Sequence, residues 1–196
     1  MSSLSDNITR RVLDAARVLF ARHGFQRTSM ADVAAEAEVS RATLYLRFRD
    51  KRSLFGVLAE SLVSSALAAA DAAWNPAAAL ADNLEATVLA KDLPLYRLLQ
   101  ASPHGAELLA VDAELTRAHA ERLDQGFAAL LAERAAVAAR GGADLSAFGG
   151  PDGFSLFLAT TSAGLKHEAR TEAAYRDVVR RLCVVTARAM VPPAGA

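Results

Sequence analysis

The sequence predicts an all-α protein in two parts. Three helices over residues 1–50, two of them short, are joined through a fourth to a larger helical body over 51–196. Three observations carry that prediction. Apolar residues return at helical spacing along the chain, beginning with Val12, Ala16, Leu19 and Phe20. Hydrophobic residues make up 53% of the 196, and much of that is alanine, the strongest helix former. There is no long alternating run that would suit a strand and no repeat of fixed period.

The first helix is expected over 7–23, with Asp6 as its cap and His23–Gly24 as its stop. Thr28 or Ser29 caps the next, short helix over about 30–37, with Asp32 placed for a capping box and Val33 and Ala34 facing inward. A tight turn at Glu38–Val39 leads to Ser40, the cap of a third helix over 41–48. Asp50 caps a longer helix to about Asn75, where Pro76 stops it; Leu54, Leu58 and Leu62 form its inner stripe. Further helices are expected near 77–90, 93–101, 105–110 and 112–140, divided by Pro94, Pro103 and Asp112. Residues 141–153 read as a loop, 154–168 and 172–190 as the last two helices, and the final VPPAGA as a frayed tail.

Composition narrows the function classes. One cysteine, Cys183, excludes an internal disulfide and fits a reducing compartment. No apolar leader and no unbroken membrane-length run stand out, so a cytoplasmic protein without a membrane partner is expected. Net charge is zero, but unevenly spread. Residues 1–55 hold ten Lys and Arg against six Asp and Glu, a net +4, and the remainder holds twelve against sixteen, a net −4.

The third helix is the informative one. Two short capped helices with a tight turn between them form a helix-turn-helix pattern. Leu44 and Phe48, four apart, share the buried face. Ala42, Thr43, Leu46 and Arg47 then point outward, with Arg41 and Tyr45 on the flanks and Ser40 and Lys51 framing the ends. Small, hydrogen-bonding and cationic side chains on one helix suit a DNA major groove: arginine reads guanine or phosphate, and threonine reads base edges.

The stretch LFARHGFQRTSMADVAAEAEVSRATLYLRFRDKRSLF resembles the TetR/AcrR family of transcriptional regulators. The likeness spans about residues 8–55 and rests on Phe20, Gly24, Phe25, Thr28, Val39-Ser40, Thr43-Leu44-Tyr45, Phe48, Lys51, Leu54 and Phe55. It implies a homodimer that binds a palindromic double-stranded operator. It places DNA contacts at Thr28, Ser29, Arg41, Ala42, Thr43, Tyr45, Arg47 and Lys51. It also implies a body that takes a small-molecule effector and dimerises through its last two helices. Two positions depart from the pattern: Glu38 stands where glycine is usual, and Leu46 where an aromatic or histidine is common.

In the body, Trp74, Leu98, His104, Phe127 and Phe154 are the candidates to line an effector cavity. Phe157, Thr161, Leu165, Tyr175, Val178, Leu182 and Thr186 form the stripes expected at the dimer interface. The histidines lack the spacing of a helical metal pair, the glycine-rich loop lacks the Lys-Ser/Thr of a phosphate loop, and no catalytic motif is present. No metal, cofactor or enzymatic activity is therefore expected. A repressor released by an effector is the leading reading. The alternatives are an activator of the same fold, and an all-α carrier or enzyme without DNA specificity.

Overall fold

A computed structural model of the chain describes residues 2–104 and 113–192. The helix expected at 105–110 and the last residues of the tail lie outside them. Eight α-helices are described: α1 Ser2–His23, α2 Met30–Glu36, α3 Arg41–Tyr45, α4 Lys51–Ala72, α5 Leu80–Ala101, α6 Ala113–Arg140, α7 Pro151–Glu168 and α8 Glu172–Ala189. They fall into two compact units, Met1–Val63 with Leu95–Ala120, and Ser64–Pro94 with Glu121–Ala196. The first unit takes in more chain than residues 1–50 because the start of α4 buries Leu54 and Leu58 in the same core as α1 to α3.

That core gathers Val12, Ala16, Leu19 and Phe20 of α1, Met30, Val33 and Ala34 of α2, and Leu44 and Phe48. Phe25 lies against both Phe20 and Phe55, with ring centroids 5.2 and 5.4 Å away. Burial of Leu44 contributes about 1.5–3 kcal/mol. Such packing lets a five-residue helix persist that would not form alone. Gly24, with φ +83°, ends α1 in the left-handed conformation and donates its N–H to the Phe20 carbonyl at 2.9 Å. Contrary to expectation, α1 begins at Ser2. Asp6 lies inside it and does not cap it, since no Gly or Pro precedes it to stop the helix.

The second unit is built around Leu84, Val88, Leu89, Phe127, Leu131, Phe154, Leu158, Tyr175, Val179 and Cys183. Its helices correct two expected boundaries. The segments 77–90 and 93–101 are one helix, α5, with Pro94 inside it. A proline there deprives the Ala90 carbonyl of its helical donor and costs about 3 kcal/mol; burial of Val88, Leu89, Leu93 and Tyr96 on either side offsets this. The loop after α6 ends at Gly150, because Pro151 takes the first position of α7, where its missing N–H costs nothing. Gly153, in that first turn, is required by close approach: a Cβ there would lie 1.9 Å from the Phe148 carbonyl oxygen.

Helix α4 is long and apolar enough to cross a membrane, which the sequence reading did not anticipate. Leu54, Leu58, Val63, Ala66 and Ala70 along it are buried within the protein, and its other residues are half-buried or exposed.

Candidate nucleic-acid interface

Local sequence chemistry builds the helix-turn-helix. Ser29 caps α2 and forms a reciprocal box with Asp32: its hydroxyl accepts from the Asp32 N–H at 3.2 Å, and its own N–H donates to Asp32 Oδ2 at 2.8 Å. The Ser29 side chain and then its backbone hold the Asp32 carboxyl below its ordinary pKa. Ser40 caps α3 by accepting from the Thr43 N–H at 3.0 Å. Asp50 and Ser53 make the same reciprocal exchange at the start of α4, at 2.7 and 3.1 Å.

Between α2 and α3 the chain turns on Glu38. Its φ of +51° is the sole positive value at a non-glycine among the described residues. The left-handed conformation costs a residue with a Cβ about 1–2 kcal/mol. Arg11 on α1 holds the turn, donating to the Glu38 carbonyl and to its carboxylate, both at 3.1 Å. The acid at this turn is therefore partly neutralised.

Helix α3 is shorter than the expected 41–48. Its end tightens after Tyr45, where the Arg47 N–H bonds the Leu44 carbonyl at 3.0 Å. Leu44 and Phe48 face the core. Arg41, Ala42, Tyr45, Leu46 and Arg47 are exposed, and Thr43 is half-buried with its hydroxyl 2.8 Å from that of Ser40. Leu46 is 86% exposed, an apolar side chain presented on the helix that also carries Arg41 and Tyr45. Arg47 reaches back to the Thr9 hydroxyl at 3.2 Å, which fixes α3 against α1.

Two candidates sit differently from the outward placement expected of them. The Thr28 side chain is 3% exposed and donates inward to the Gly24 carbonyl at 2.8 Å. Lys51 turns its ammonium onto three carbonyls, those of Phe25, Gln26 and Thr28, at 2.6, 3.1 and 2.8 Å. It also lies 4.5 Å from the centroid of the Phe25 ring. Its three N–H bonds are matched by three acceptors. Lys51 thus braces the loop that delivers Ser29 to α2. Spacing along α4 gave no sign of this, because the acceptors are backbone atoms from another segment.

The five cavity candidates do not come together in either unit. Leu98 and His104 belong to the first unit; Trp74, Phe127 and Phe154 belong to the second. Phe127 and Phe154 are core, at 0% and 1% exposure. The Arg134 guanidinium lies 5.5 Å from the Trp74 ring. His104 meets the Arg27 guanidinium, beside the Ser102 hydroxyl that donates to the Ala21 carbonyl at 2.7 Å. That contact ties the 102–104 segment to the loop after α1, and nothing in either local sequence signals it.

The interface candidates divide by helical phase. Tyr175 and Thr186 are buried within the second unit, on the stripe shared with Val179 and Cys183. They do not face the surface, because the inward stripe runs through 175, 179, 183 and 186. Thr161, Leu165, Val178 and Leu182 are half-buried, and Phe157 is exposed. The most exposed apolar side chains of α7 and α8 are Leu156 and Val185, one phase away from the expected set. Burial, then Glu85, pushes the Cys183 thiol up to about 12, so it is an inert core residue. Among the described residues, no group of three or more His, Cys, Asp or Glu side chains is placed to hold a metal ion.

Residues 12–58 match the family model described as bacterial regulatory proteins, tetR family. Solved structures resemble nearly the whole chain. A bacterial regulatory protein in the tetR family from Rhodococcus RHA1 shares 20% identity over 95% of this chain and 98% of its own, with a TM-score of 0.59. SmeT, solved as a triclosan complex, shares 18% identity over 96% and 93%, with a TM-score of 0.67. A TetR transcriptional regulator from Legionella pneumophila shares 17% over 90% and 95%, with a TM-score of 0.63. A comparison with curated protein sequences found no match.

Proposed function

Taking the chain as a TetR/AcrR-family regulator, we propose that it is a repressor that binds a palindromic operator as a homodimer and is released by a small-molecule effector. The observation that carries this reading is the surface of α3. The helix and the tight turn that ends it offer exposed Arg41, Ala42, Tyr45, Leu46 and Arg47, while Leu44 and Phe48 lock the inward side. In this account α3 enters the major groove. Arg41 and Arg47 bind guanine edges or phosphates, Thr43 a base edge, Tyr45 a phosphate through its hydroxyl, and Leu46 a thymine methyl. Ser29 and Ser40 present helix starts to the backbone. Lys51 and Thr28 act indirectly, by fixing the loop before α2.

Pairing two heads requires a two-fold interface, with half-sites about 34–36 Å apart. Leu156 and Phe157 on α7 and Val185 on α8 are 63%, 41% and 65% exposed, an apolar surface that a second copy would cover. Effector release then follows by population shift: the effector binds better to a conformer whose heads do not match the half-sites. SmeT, which shares the fold, was solved with the small molecule triclosan, and this supports an effector for the present chain. An activator of the same fold makes the same contacts and differs only in where its site lies relative to the promoter.

The test is DNA binding by fluorescence anisotropy across a salt series. Arg41→Ala is expected to lower the slope of log K against log salt by about one, and Tyr45→Phe to weaken binding about two- to tenfold at unchanged Tm. Unaltered binding in both variants would remove α3 as the reading helix. Tight small-molecule binding or turnover with no DNA affinity would favour a carrier or enzyme.

A further inference from the structure

We propose that His104 is an acid-sensitive latch on the loop before α2: its neutral imidazole holds Arg27, and protonation releases it. The latch goes beyond the effector reading above, and only its bearing on DNA rests on the DNA-binding part of that reading. The contact lies within the first unit. Arg27 Nη2 stands 2.5 Å from His104 Nε2. A guanidinium stays protonated and carries donors only. At this distance Nε2 accepts, so the imidazole is neutral and its proton sits on Nδ1. Protonation makes both ring nitrogens donors and sets a second cation against the guanidinium. Histidine is the side chain whose charge changes between about pH 5 and 8.

The bond joins two segments that meet at the end of α1. The Ser102 hydroxyl donates to the Ala21 carbonyl at 2.7 Å and accepts from the His104 N–H at 3.0 Å. Arg27 is anchored in turn, its Nε donating to the His23 carbonyl at 2.8 Å. Three more titratable groups, His23, Asp32 and Glu36, line one cavity with Arg27. Arg41 of α3 also acts on Asp32. Glu107 and Asp112, the next carboxylates along the chain, lie outside the described residues. Released from His104, the guanidinium has Asp32 and Glu36 to turn to. Asp32 is the partner of Ser29 in the capping box of α2. The exchange therefore loosens the helix start that presents Ser29.

The sign of the effect sets His104 apart from the other two histidines of the unit. His23 shares its cavity with Asp32, and His119 Nδ1 lies 3.6 Å from Glu60 Oε2. Protonating either adds an attraction and strengthens the unit in acid. His104 meets a cation instead. Its contribution is present above the histidine range and is lost as pH falls through that range.

The test compares the full chain with His104→Gln by scanning calorimetry from about pH 8 to about pH 5.5. Glutamine can accept from Arg27 and does not titrate, and comparison at equal pH cancels the other ionising groups. The two proteins should unfold alike at the upper end. At the lower end the wild type should unfold about 2 °C or more below the variant; Arg27 is exposed, so water screens part of the repulsion. In an Arg27→Gln background, His104→Gln should make no pH-dependent difference. A gap that does not widen as pH falls would overturn the proposal, as would one that persists in the Arg27→Gln background. Nitrogen-15 NMR of the wild type decides without any variant: Nε2 of His104 should be unprotonated at about pH 8, and a proton found there would overturn the latch. For DNA, anisotropy with a random-sequence duplex at low salt should show the wild type losing affinity relative to His104→Gln as pH falls. A constant affinity ratio would remove the latch's bearing on DNA. Absence of DNA binding by both proteins would end the repressor reading and leave the thermal comparison to decide the latch.

Discussion

Replacing Lys51 by methionine tests how the head is held. The substitution keeps most of the apolar stem and removes the ammonium that joins three carbonyls at 2.6, 3.1 and 2.8 Å and faces the Phe25 ring at 4.5 Å. Hydrogen bonds from a charged donor contribute about 1.5–3 kcal/mol each, and a cation–π contact about 0.5–1 kcal/mol. The Gln26 bond is exposed and the other two are half-buried, so water recovers part of the loss. A net destabilisation of about 3 kcal/mol follows. For a chain of this size it lowers Tm by about 6–12 °C. Scanning calorimetry or urea unfolding reads it. DNA affinity should fall as well, since the loop that carries Ser29 loses its anchor, but the salt slope should change by less than one. A Tm within about 2 °C of wild type together with a slope lowered by about one would refute the reasoning and make Lys51 a phosphate ligand.

Substitutions at three further positions probe other parts of the account. Glu38→Gly relieves a left-handed backbone, while Glu38→Ala does not; the glycine variant should be the more stable of the two by about 1 kcal/mol in urea titration. Both should bind DNA more tightly than wild type, because an acid leaves the turn. Gly153→Ala forces a methyl group onto the Phe148 carbonyl and should cost about 1–3 kcal/mol in the unfolding of the second unit, followed through Trp74. Lys91 has a folded-state pKa below that of free lysine. The unfolded chain thus holds the proton more tightly, and stability should rise as pH climbs from the depressed value toward about 10. Lys91→Met should flatten that rise. Asp92 works in the opposite window. Burial would raise its pKa, but Lys91 and Lys166 outweigh burial and hold it low. Its contribution is present above the ordinary carboxylate range and is lost as pH falls through the depressed value.

The sequence made the head legible because its signals are local. Ser29, Ser40 and Asp50 each cap a helix with atoms three residues away, and Val33, Leu44 and Leu54 mark the inward faces at helical spacing. Gly24 and Glu38 stand where the backbone turns left-handed. What spacing could not give were contacts between distant segments. Lys51 on the carbonyls of the loop before α2, Arg27 on His104, and Lys166 and Tyr175 on Asp92 pair residues 23 to 83 positions apart. The body also misled where a local rule met a larger burial term. Pro94 reads as a helix break, yet the apolar residues flanking it carry α5 through. On α8, Tyr175 and Val178 both look like interface residues. Tyr175 is fully buried and Val178, three positions on, is half-buried against the same core, and only the packed partner helices decide how far round α8 burial extends.

Selection of duplexes from a randomised DNA pool by the purified chain, at about physiological salt, tests the central claim most directly. The account predicts enrichment of one inverted repeat whose half-sites are centred about one helical turn apart. It also predicts that the repeat is lost from the pool when Tyr45→Phe and Arg41→Ala are combined. Enrichment of no sequence, from a protein shown to be folded and free of bound small molecules, would contradict the claim that α3 reads DNA.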